Sequence, residues 1–286
     1  MFRKWIIRIV AIAALAVFLY SMGNVLAVKY RYWQAEKLNN DAINNYTQLS
    51  PATETERPIH PEETESISES EEPETHRDDV APIEVDFAGL QEINPDIWGW
   101  IYCEDTVINY PVAHCDNNDY YLSYGYNRTI MSGGTIFSDA GNRYGVQDSN
   151  IIIYGHHMQD KSMFHTLKYW FEQDYYDAHP VMWLLTPEQD YRIDLYSVRS
   201  TPATSDTYTI FYEPDEQFED YILRAKAESG FTSDVEPDPQ LHHVLLSTCA
   251  YSYYNERTVI HGQLVPVASA GGLPIPAETL SPDVND

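Results

Sequence analysis

Twenty consecutive residues without a charge, Ile9 to Val28, restrict this chain more than any other feature of its sequence. At about 1.5 Å per residue, a helix of that length spans roughly the 30 Å hydrocarbon core of a bilayer. Basic residues precede the stretch, and basic and aromatic residues follow it, with a charge bias that favours the N-terminus inside. We therefore predict a single-pass transmembrane signal anchor in the cell membrane at 9–28. Residues 1–8 would be a short cytoplasmic segment, and the rest of the chain would be extracytoplasmic.

A cleaved signal peptide is the alternative interpretation of this stretch, because the "VLA" before Val28 is similar to a cleavage site. Both interpretations place everything after Lys29 outside the cytoplasm. The apolar stretch is longer than most signal-peptide cores, which favours the uncleaved anchor. Residues 29–50 are then juxtamembrane, and we expect them to be helical.

Acidic residues are concentrated in one segment. Between Pro51 and Val80 they far outnumber basic residues, and Ser, Thr and Pro fill most other positions. Such a segment cannot offset the entropy of ordering, so we predict a disordered acidic linker at 51–82 that acts as a solvated spacer. Ala, Gly and Pro predict a disordered tail at 268–286. One globular domain remains, at 83–267, large enough to have its own core.

A net charge of −27 argues against nucleic acid as a partner, because phosphate binding requires a basic face. Within the domain, short β-patterned runs predominate, and 23 tyrosines in the chain fit a β-rich, amphipathic surface. The runs are "TVINYPV", "GTIFSD", "NIIIYGH", "PVMWLL", "YRIDLYSV", "HVLLSTC" and "TVIHGQLVPV". We predict a mainly β fold, a barrel or a sandwich, with helices inserted in its connections.

Two segments interrupt the strands with helical periodicity. The first, "SMFHTLKYWFEQ", has Ser162 as a plausible N-cap. The second, "DEQFEDYILRAKAES", begins with acidic residues, as the positive end of a helix dipole favours. Its apolar residues share one face, which predicts an amphipathic helix. They are Phe218, Tyr221, Ile222 and Ala225.

Three cysteines cannot all pair, so one thiol is left over whatever the others do. Cys103 and Cys115 could bridge neighbouring strands or be two inert, partly buried thiols, and the second interpretation is favoured. Cys249 ends a predicted strand, and Arg257 follows eight residues later. A strand-end thiol becomes a nucleophile when a partner takes its proton and a donor stabilises the oxyanion. Arg257 is the nearest candidate donor.

A pair of histidines supplies the candidate partner for the thiol. His156 and His157 lie at the tip of the apolar strand in "NIIIYGHHM". The pair is a poor metal site, because adjacent strand residues point to opposite faces, and no HExxH or CxxC motif accompanies it. We expect no metal and no cofactor, and instead a Cys–His arrangement assembled in space. Four other histidines are interpreted as ordinary surface or core residues: His165, His242, His243 and His261.

The segments "NIIIYGHHM…SMFHTLKYW" and "LSTCAYSYYNERTVIHGQLV" resemble the class B sortases of Gram-positive bacteria. The resemblance continues in "WGWIYCEDTVINYPVAHCDNNDYYL" and "SGGTIFSDAGNR" and extends over about residues 85–266. The combination of YGH, an inserted helix, and LSTC with Arg eight residues later is highly specific. Leu245 departs from it, because the family's usual T-L-x-T-C has Thr at that position. We expect a difference in packing there, since the position lies in the strand.

The resemblance implies a sortase-type closed β-barrel with inserted and N-terminal helices, preceded by a single transmembrane helix. One extra helix, "DEQFEDYILRAKAES", would lie between the strands that lead to Cys249. The resemblance also implies that Cys249 is the nucleophile, His156 the acid/base and Arg257 the donor to the oxyanion or substrate carbonyl. Three more residues align loosely with residues of the substrate groove: Ser247, Asn117 and Tyr208.

The activity implied by the resemblance is transpeptidation. The Cys249 thiolate would attack a backbone carbonyl in the C-terminal sorting signal of a secreted protein, an Asn-Pro- or Ser-Pro-type pentapeptide, and form a thioester. An amine of a peptidoglycan precursor or of a pilin lysine would then resolve the thioester, with hydrolysis as the slow default. The implied partners are therefore sorting-signal-bearing proteins, such an amine, and the membrane through the N-terminal helix.

Other functions were weighed against this one. An L,D-transpeptidase would have Gly directly before the Cys and Arg two residues after it, whereas this chain has Thr248 and Tyr251. A papain-like peptidase has its Cys before its His in the chain, and here His156 comes first. An anchored binding module with an incidental Cys is the alternative from a different class.

Overall fold

The computed structural model describes residues 2–50, 80–249 and 256–268. The predicted linker up to residue 79, the predicted tail from residue 269, and the Tyr-rich loop after Cys249 lie outside the described residues. Helix α1, Phe2–Tyr46, is continuous and includes the whole uncharged stretch. It is long and apolar enough to cross a membrane, and none of its most apolar part is buried against the rest of the protein.

The second half of α1 is attached to the globular domain. Ala42 is fully buried, and Leu38, Ile43 and Tyr46 pack against the same apolar cluster. Spacings of three and four residues place these side chains on one face of the helix, so this face is the one that contacts the domain.

A small sheet continues this attachment. Strand β1, Thr47–Leu49, pairs antiparallel with β2, Ile83–Val85. The backbone N–H of Ser50 also donates to the carbonyl oxygen of Pro82 at 3.0 Å. Ser50 and Pro82, at the two ends of the acidic segment, are therefore neighbours, and α1 contacts the domain through residues outside that segment.

Helix α2, Phe87–Ile93, leads into the barrel, and its first turn is capped by the Asp86 carboxylate, which accepts from Gly89 N–H at 2.9 Å. Eight strands follow: β3 Ile97–Tyr102, β4 Asn109–Ala113, β5 Ile136–Ser138, β6 Asn150–His156, β7 Val181–Leu185, β8 Asp190–Pro202, β9 His242–Cys249 and β10 Glu256–Val267. They form a closed barrel in the order β10-β8-β7-β3-β4-β5-β6-β9. The β4–β5 and β6–β9 pairs are parallel and the others are antiparallel. The predicted closed β-barrel is confirmed.

Alternation along β6 and β9 separates the barrel interior from its outer face. Ile151, Ile153, Val244 and Leu246 belong to the main core cluster. The residues between them face the other way, and two of these, Ile152 and Leu245, form a separate cluster with Val259 of β10. Leu245, which stands where the family motif has Thr, packs in this outer cluster.

The first inserted helical segment differs from the prediction. It is a 3₁₀ helix, Phe164–Phe171, followed by the short helix α3, Gln173–Ala178. The predicted N-cap at Ser162 is wrong, because Met163 with φ 57° directly precedes the helix and no side chain caps it. The Ser162 hydroxyl instead donates to the Asp160 carboxylate at 2.6 Å. A local polar turn has thus taken the hydroxyl that a cap would use.

The second inserted helix matches the prediction. Helix α4, Glu216–Ala227, lies between β8 and β9, and the Asp215 carboxylate caps it by accepting from the Phe218 N–H at 2.7 Å. All four residues of the predicted apolar face are buried. A short 3₁₀ turn, Asp206–Tyr208, connects the end of β8 towards this helix.

Candidate active site

The parallel pairing of β6 and β9 brings two sequence candidates together. The register pairs Tyr154 with Ser247, Gly155 with Thr248 and His156 with Cys249. Adjacent strands lie about 4.8 Å apart, so the backbones of His156 and Cys249 are direct neighbours at the ends of both strands. The side chain of Cys249 lies outside the described atoms.

His156 is half-buried, and its ring is held by a backbone acceptor. Its Nε2 lies 2.8 Å from the carbonyl oxygen of Leu122. Because a carbonyl can only accept, this contact assigns the ring hydrogen of neutral His156 to Nε2 and the lone pair to Nδ1. Burial lowers the pKa of His156, and the bond to Leu122 partly offsets that effect. At neutral pH the imidazole is therefore uncharged and able to accept a proton.

Arg257 comes from the strand on the other side of β9. The β9–β10 pairing sets Val259 opposite Ser247, so Arg257 lies two residues further along, at the level of the β9 end. Its Nη1 donates to the carbonyl oxygen of Thr248 at 3.2 Å. Its Nε is buried and has no hydrogen-bond partner among the described residues. The guanidinium is thus fixed at one end and retains a donor at the strand ends.

A cavity of about 690 Å³ opens beside these strand ends. His156, His157 and Arg257 line it, together with Thr248. Helix α1 also contributes to its wall, through Val28, Arg31 and Tyr32. The arrangement places a proton acceptor and a guanidinium around one cavity, at the end of the strand that carries Cys249.

The two adjacent histidines have different surroundings. While His156 contacts Leu122, the ring of His157 lies 4.2 Å, centroid to centroid, from that of His165. Burial lowers the pKa of His157, and the positive charges of protonated His165 and of Lys168 act in the same direction. His157 also lines the cavity, so it is next to the site without sharing the contacts of His156.

Two of the three predicted groove residues meet in the structure. The Tyr208 hydroxyl lies 2.9 Å from the Ser247 hydroxyl, and Tyr208 stacks on Tyr154 with ring centroids 6.3 Å apart. Asn117 is not brought to them: its Oδ1 accepts from the backbone N–H of Asp119, and within the described part of the chain it has no contact with Ser247 or Tyr208.

Sequence reasoning missed several residues on this outer face. The Tyr154 hydroxyl donates to the Asp139 carboxylate at 2.8 Å, and Asn118 Nδ2 donates to the same oxygen at 3.1 Å. Tyr154 precedes His156 by two positions, so the strand period alone would have placed it on the same face. The contact between His156 and the Leu122 carbonyl could not be predicted from the sequence, because a backbone carbonyl is present at every residue.

The other two cysteines are free. Burial raises the pKa of the Cys103 thiol to about 12, and its Sγ donates to the Val181 carbonyl oxygen at 3.6 Å. Burial also raises the pKa of Cys115. Both are protonated at neutral pH, in agreement with the interpretation as inert thiols. Among the described residues, no group of three or more His, Cys, Asp or Glu side chains could hold a metal ion.

Comparison of the sequence and the fold with known proteins identifies sortases as similar. The Sortase domain family model matches residues 101–265. The chain is 38% identical over 180 residues to sortase B of Listeria monocytogenes, covering 62% of this chain and 72% of that protein. Its fold is similar to that of sortase B from Bacillus anthracis in complex with AAEK1, with a TM-score of 0.65, 28% identity, and coverage of 83% and 99% of the two chains. For the Staphylococcus aureus sortase B–substrate complex, the TM-score is 0.60 at 30% identity, with coverage of 64% and 85%.

Proposed function

This chain belongs to the sortase family and is of the class B type, and on that premise we propose how its cysteine transpeptidase activity is carried out and where. The observation that carries the proposal is the strand register. It pairs the backbones of His156 and Cys249 and sets Arg257 at the same level on the next strand. His156, which is distant in sequence from the other two, thereby shares one end of the barrel with Cys249 and Arg257.

We assign the roles as follows. Cys249 attacks a backbone carbonyl carbon of the sorting signal, and the new C–S bond forms as the C–N bond breaks. Neutral His156 takes the thiol proton and passes it to the leaving amine. Arg257 donates to the carbonyl oxygen while that oxygen carries negative charge, and its Nε, without a partner among the described residues, suits this role.

The second half of the reaction restores the enzyme. An amine attacks the thioester carbon, the C–S bond breaks, and His156 returns the amine's proton to the thiolate. Water replaces the amine slowly when no amine is present. A free cysteine has a pKa of about 8.5, so at neutral pH only a minor fraction of such a thiol is ionised, and in this proposal neutral His156 removes the proton as the Cys249 sulfur attacks. The acceptor in this proposal is a peptidoglycan precursor or a pilin lysine.

We propose that the sorting signal lies along the outer face of β6 and β9. Tyr208 and Ser247 offer two hydroxyls there, beside Tyr154 and two residues before Cys249. Asn117 is kept from the family resemblance alone. That a similar protein, S. aureus sortase B, is known in complex with a substrate supports a substrate as the partner of this chain.

The proposed location is extracytoplasmic, with 9–28 as a single-pass anchor whose N-terminus is inside. The catalytic domain is 83–267. The predicted disordered linker, 51–82, and tail, 268–286, are kept as proposals only up to residue 79 and from residue 269, because Ala81 is buried and Val80 pairs with Ala268. Because 29–46 continues α1 and packs on the domain, the barrel would lie close to the membrane surface and not at the end of a stalk.

The test uses the full-length protein in detergent micelles with a sorting-pentapeptide library, read by mass spectrometry. Wild type should cleave one group of Asn-Pro- or Ser-Pro-type peptides and carry the acyl adduct on Cys249. Cys249→Ala should lose on the order of 10⁴-fold or more in turnover, because the covalent step is gone.

The matched control is the double variant Cys103→Ser/Cys115→Ser, which should keep most of the turnover because neither thiol is part of the site. Loss of activity in this double variant with an unchanged melting temperature would contradict a single nucleophile. So would an acyl adduct on Cys249→Ala.

A further inference from the structure

One wall of the catalytic cavity comes from the N-terminal helix. Val28, Arg31 and Tyr32, at positions i, i+3 and i+4, all line the cavity that His156 and Arg257 line. This spacing puts the three residues on one face of α1. Tyr32 packs against the main core of the barrel, so this turn of the helix is held in place and Arg31 with it.

The charge of the cavity is opposite to that of the protein. The chain has a net charge of −27, yet the cavity is lined by two guanidiniums, Arg31 and Arg257, and by one carboxylate, Glu256. Its two histidines add no charge at neutral pH, because burial lowers the pKa of each. A locally cationic concavity concentrates anions, and a guanidinium can bind a carboxylate or phosphate through two parallel hydrogen bonds.

The position of the cavity indicates that such an anion belongs to the acceptor and not to the sorting peptide. The paired hydroxyls of Tyr208 and Ser247 precede the strand ends, whereas the cavity residues from 157 to 159 and from 256 to 258 lie at or beyond those ends. An acyl peptide along the outer face would leave the cavity for the second substrate.

We propose that this cavity binds an anionic group on the amine-bearing acceptor and that Arg31 of α1 is the residue that selects for it. The inference rests on the proposed transpeptidase function. The anion takes no part in the bond changes: the acceptor nitrogen attacks the thioester carbon, the C–S bond breaks, and the proton returns to Cys249. A carboxylate and a phosphate satisfy this chemistry equally, so they are separated by experiment.

The experiment measures transfer by the full-length protein in detergent micelles to two matched pairs of amines. Triglycine and triglycinamide differ by a carboxylate, and phosphoethanolamine and ethanolamine differ by a phosphate. The variant is Arg31→Gln, and the control is Lys29→Gln, a cation on the same helix that does not line the cavity. Arg31→Lys tests whether charge alone is enough.

Wild type should have a lower KM for the anionic member of at least one pair. Arg31→Gln should raise that KM about fivefold, the effect of one charge-assisted hydrogen bond from a solvent-exposed group, and leave the KM of the neutral member unchanged. Lys29→Gln should preserve the wild-type ratio. The pair that responds identifies the anion as carboxylate or phosphate.

An unchanged KM ratio in both pairs for Arg31→Gln would overturn the inference, as would an equal change in Lys29→Gln. Absence of sorting-peptide cleavage by wild type would overturn the proposed function itself, and this result is distinct because it is read before any acceptor is added. A melting temperature measured for each variant separates loss of binding from loss of folding.

Discussion

Strands β9 and β10 each have a proposed catalytic residue at one end and a buried histidine in the barrel wall. The strand ends and the barrel wall place their polar side chains in different environments. His243 of β9 is 1% exposed, and both its ring nitrogens are bonded, to the Tyr196 hydroxyl at 3.0 Å and to the Asp238 carbonyl at 2.9 Å. His261 of β10 is equally buried, with Nε2 3.1 Å from the Tyr221 hydroxyl. His261 thus bonds a residue of α4, and the ring of His243 packs against Phe218 of the same helix with centroids 5.3 Å apart.

The strand ends have the same residue types in another environment. His156 is half-buried and lines a cavity, and Arg257 keeps a buried Nε without a partner among the described residues. Burial lowers the pKa of His156, of His243 to about 4, and of His261 well below the usual value. All three are therefore neutral at pH 7, so the pKa does not distinguish a catalytic histidine from a structural one. What distinguishes His156 is that it lines a cavity beside the strand end that carries the proposed nucleophile, Cys249.

The largest expected effect breaks the catalytic region at His156. His156→Ala should lower kcat by about 10²- to 10⁴-fold, because general acid–base catalysis contributes that much. His157→Ala should reduce it only modestly, since its ring contacts His165 and not Leu122. The measurement is single-turnover acylation with a sorting peptide.

His243→Gln sharpens the same comparison, because it replaces a histidine of the barrel wall on the strand that ends in Cys249. It should change kcat by less than a few-fold at pH 7. Equal loss of kcat in His156→Ala and His157→Ala, with unchanged melting temperatures, would mean that the catalytic proton acceptor is not fixed by the β6–β9 register.

The next effect concerns Arg257. Arg257→Lys should cost roughly 10²- to 10³-fold in kcat although the charge is kept, because a guanidinium offers several donors in a fixed plane and an ammonium does not. Binding of an uncleavable peptide should change much less, because the hydrogen bond matters most in the transition state. If Arg257→Lys turns over peptide near the wild-type rate and only melts earlier, Arg257 merely braces the Thr248 carbonyl.

The barrel strands, and the position of the proposed catalytic residues at the strand ends, could be predicted from the sequence because they depend on local pattern. Apolar runs gave seven of the strands, and the period of 3.6 gave the four buried residues of α4. Strand β3, Ile97–Tyr102, was not predicted as a strand, since its burial on nearly every residue removes the alternation that marks a strand. Ser162 was predicted as an N-cap, but its hydroxyl bonds the Asp160 carboxylate in a local turn instead. Ser and Asp both favour turns as well as caps, so the sequence did not separate the two roles.

What could not be predicted depends on long-range contacts. The pairing of Thr47 with Val85 joins the two ends of the acidic segment, and composition contains no information about which strands meet. The position of Arg31 at the cavity is also a long-range contact. In the sequence, the basic residues after the apolar stretch indicated only where the membrane ends.

The structural region makes a prediction about stability. The folded-state pKa of His243 is lowered to about 4 from 6.5, mainly by burial. Between these values the unfolded chain binds more protons than the folded one, so the stability is fully present above pH 6.5 and is lost as pH falls towards 4. His243 alone should remove about 2 kcal/mol from the free energy of unfolding between pH 7.5 and pH 5. His261 should add to this loss, because its pKa is lowered as well.

The measurement is urea unfolding of the full-length protein at both pH values, followed by tryptophan fluorescence. In His243→Gln the drop between the two pH values should shrink by about 2 kcal/mol, whatever the stability of the variant at pH 7.5. An unchanged drop would show that His243 titrates alike in the folded and unfolded protein.

The smallest effect lies between the two regions, at the pair of hydroxyls on the outer face. Ser247 is buried and Tyr208 is half-buried, and their oxygens are 2.9 Å apart. If the pair only stabilises the fold, Tyr208→Phe and Ser247→Ala should each cost about 1 kcal/mol in unfolding free energy and leave the KM for sorting peptide unchanged. If it contacts the peptide, as proposed, each variant should raise that KM by about threefold to fivefold with little change in kcat.

The double variant Tyr208→Phe/Ser247→Ala tests whether the two hydroxyls bind the peptide as a pair or independently. Since the two groups are in contact, its effect on KM should be smaller than the product of the single effects. Multiplicative effects would mean that the hydroxyls bind the peptide independently, and no effect on KM would place this pair with the structural histidines.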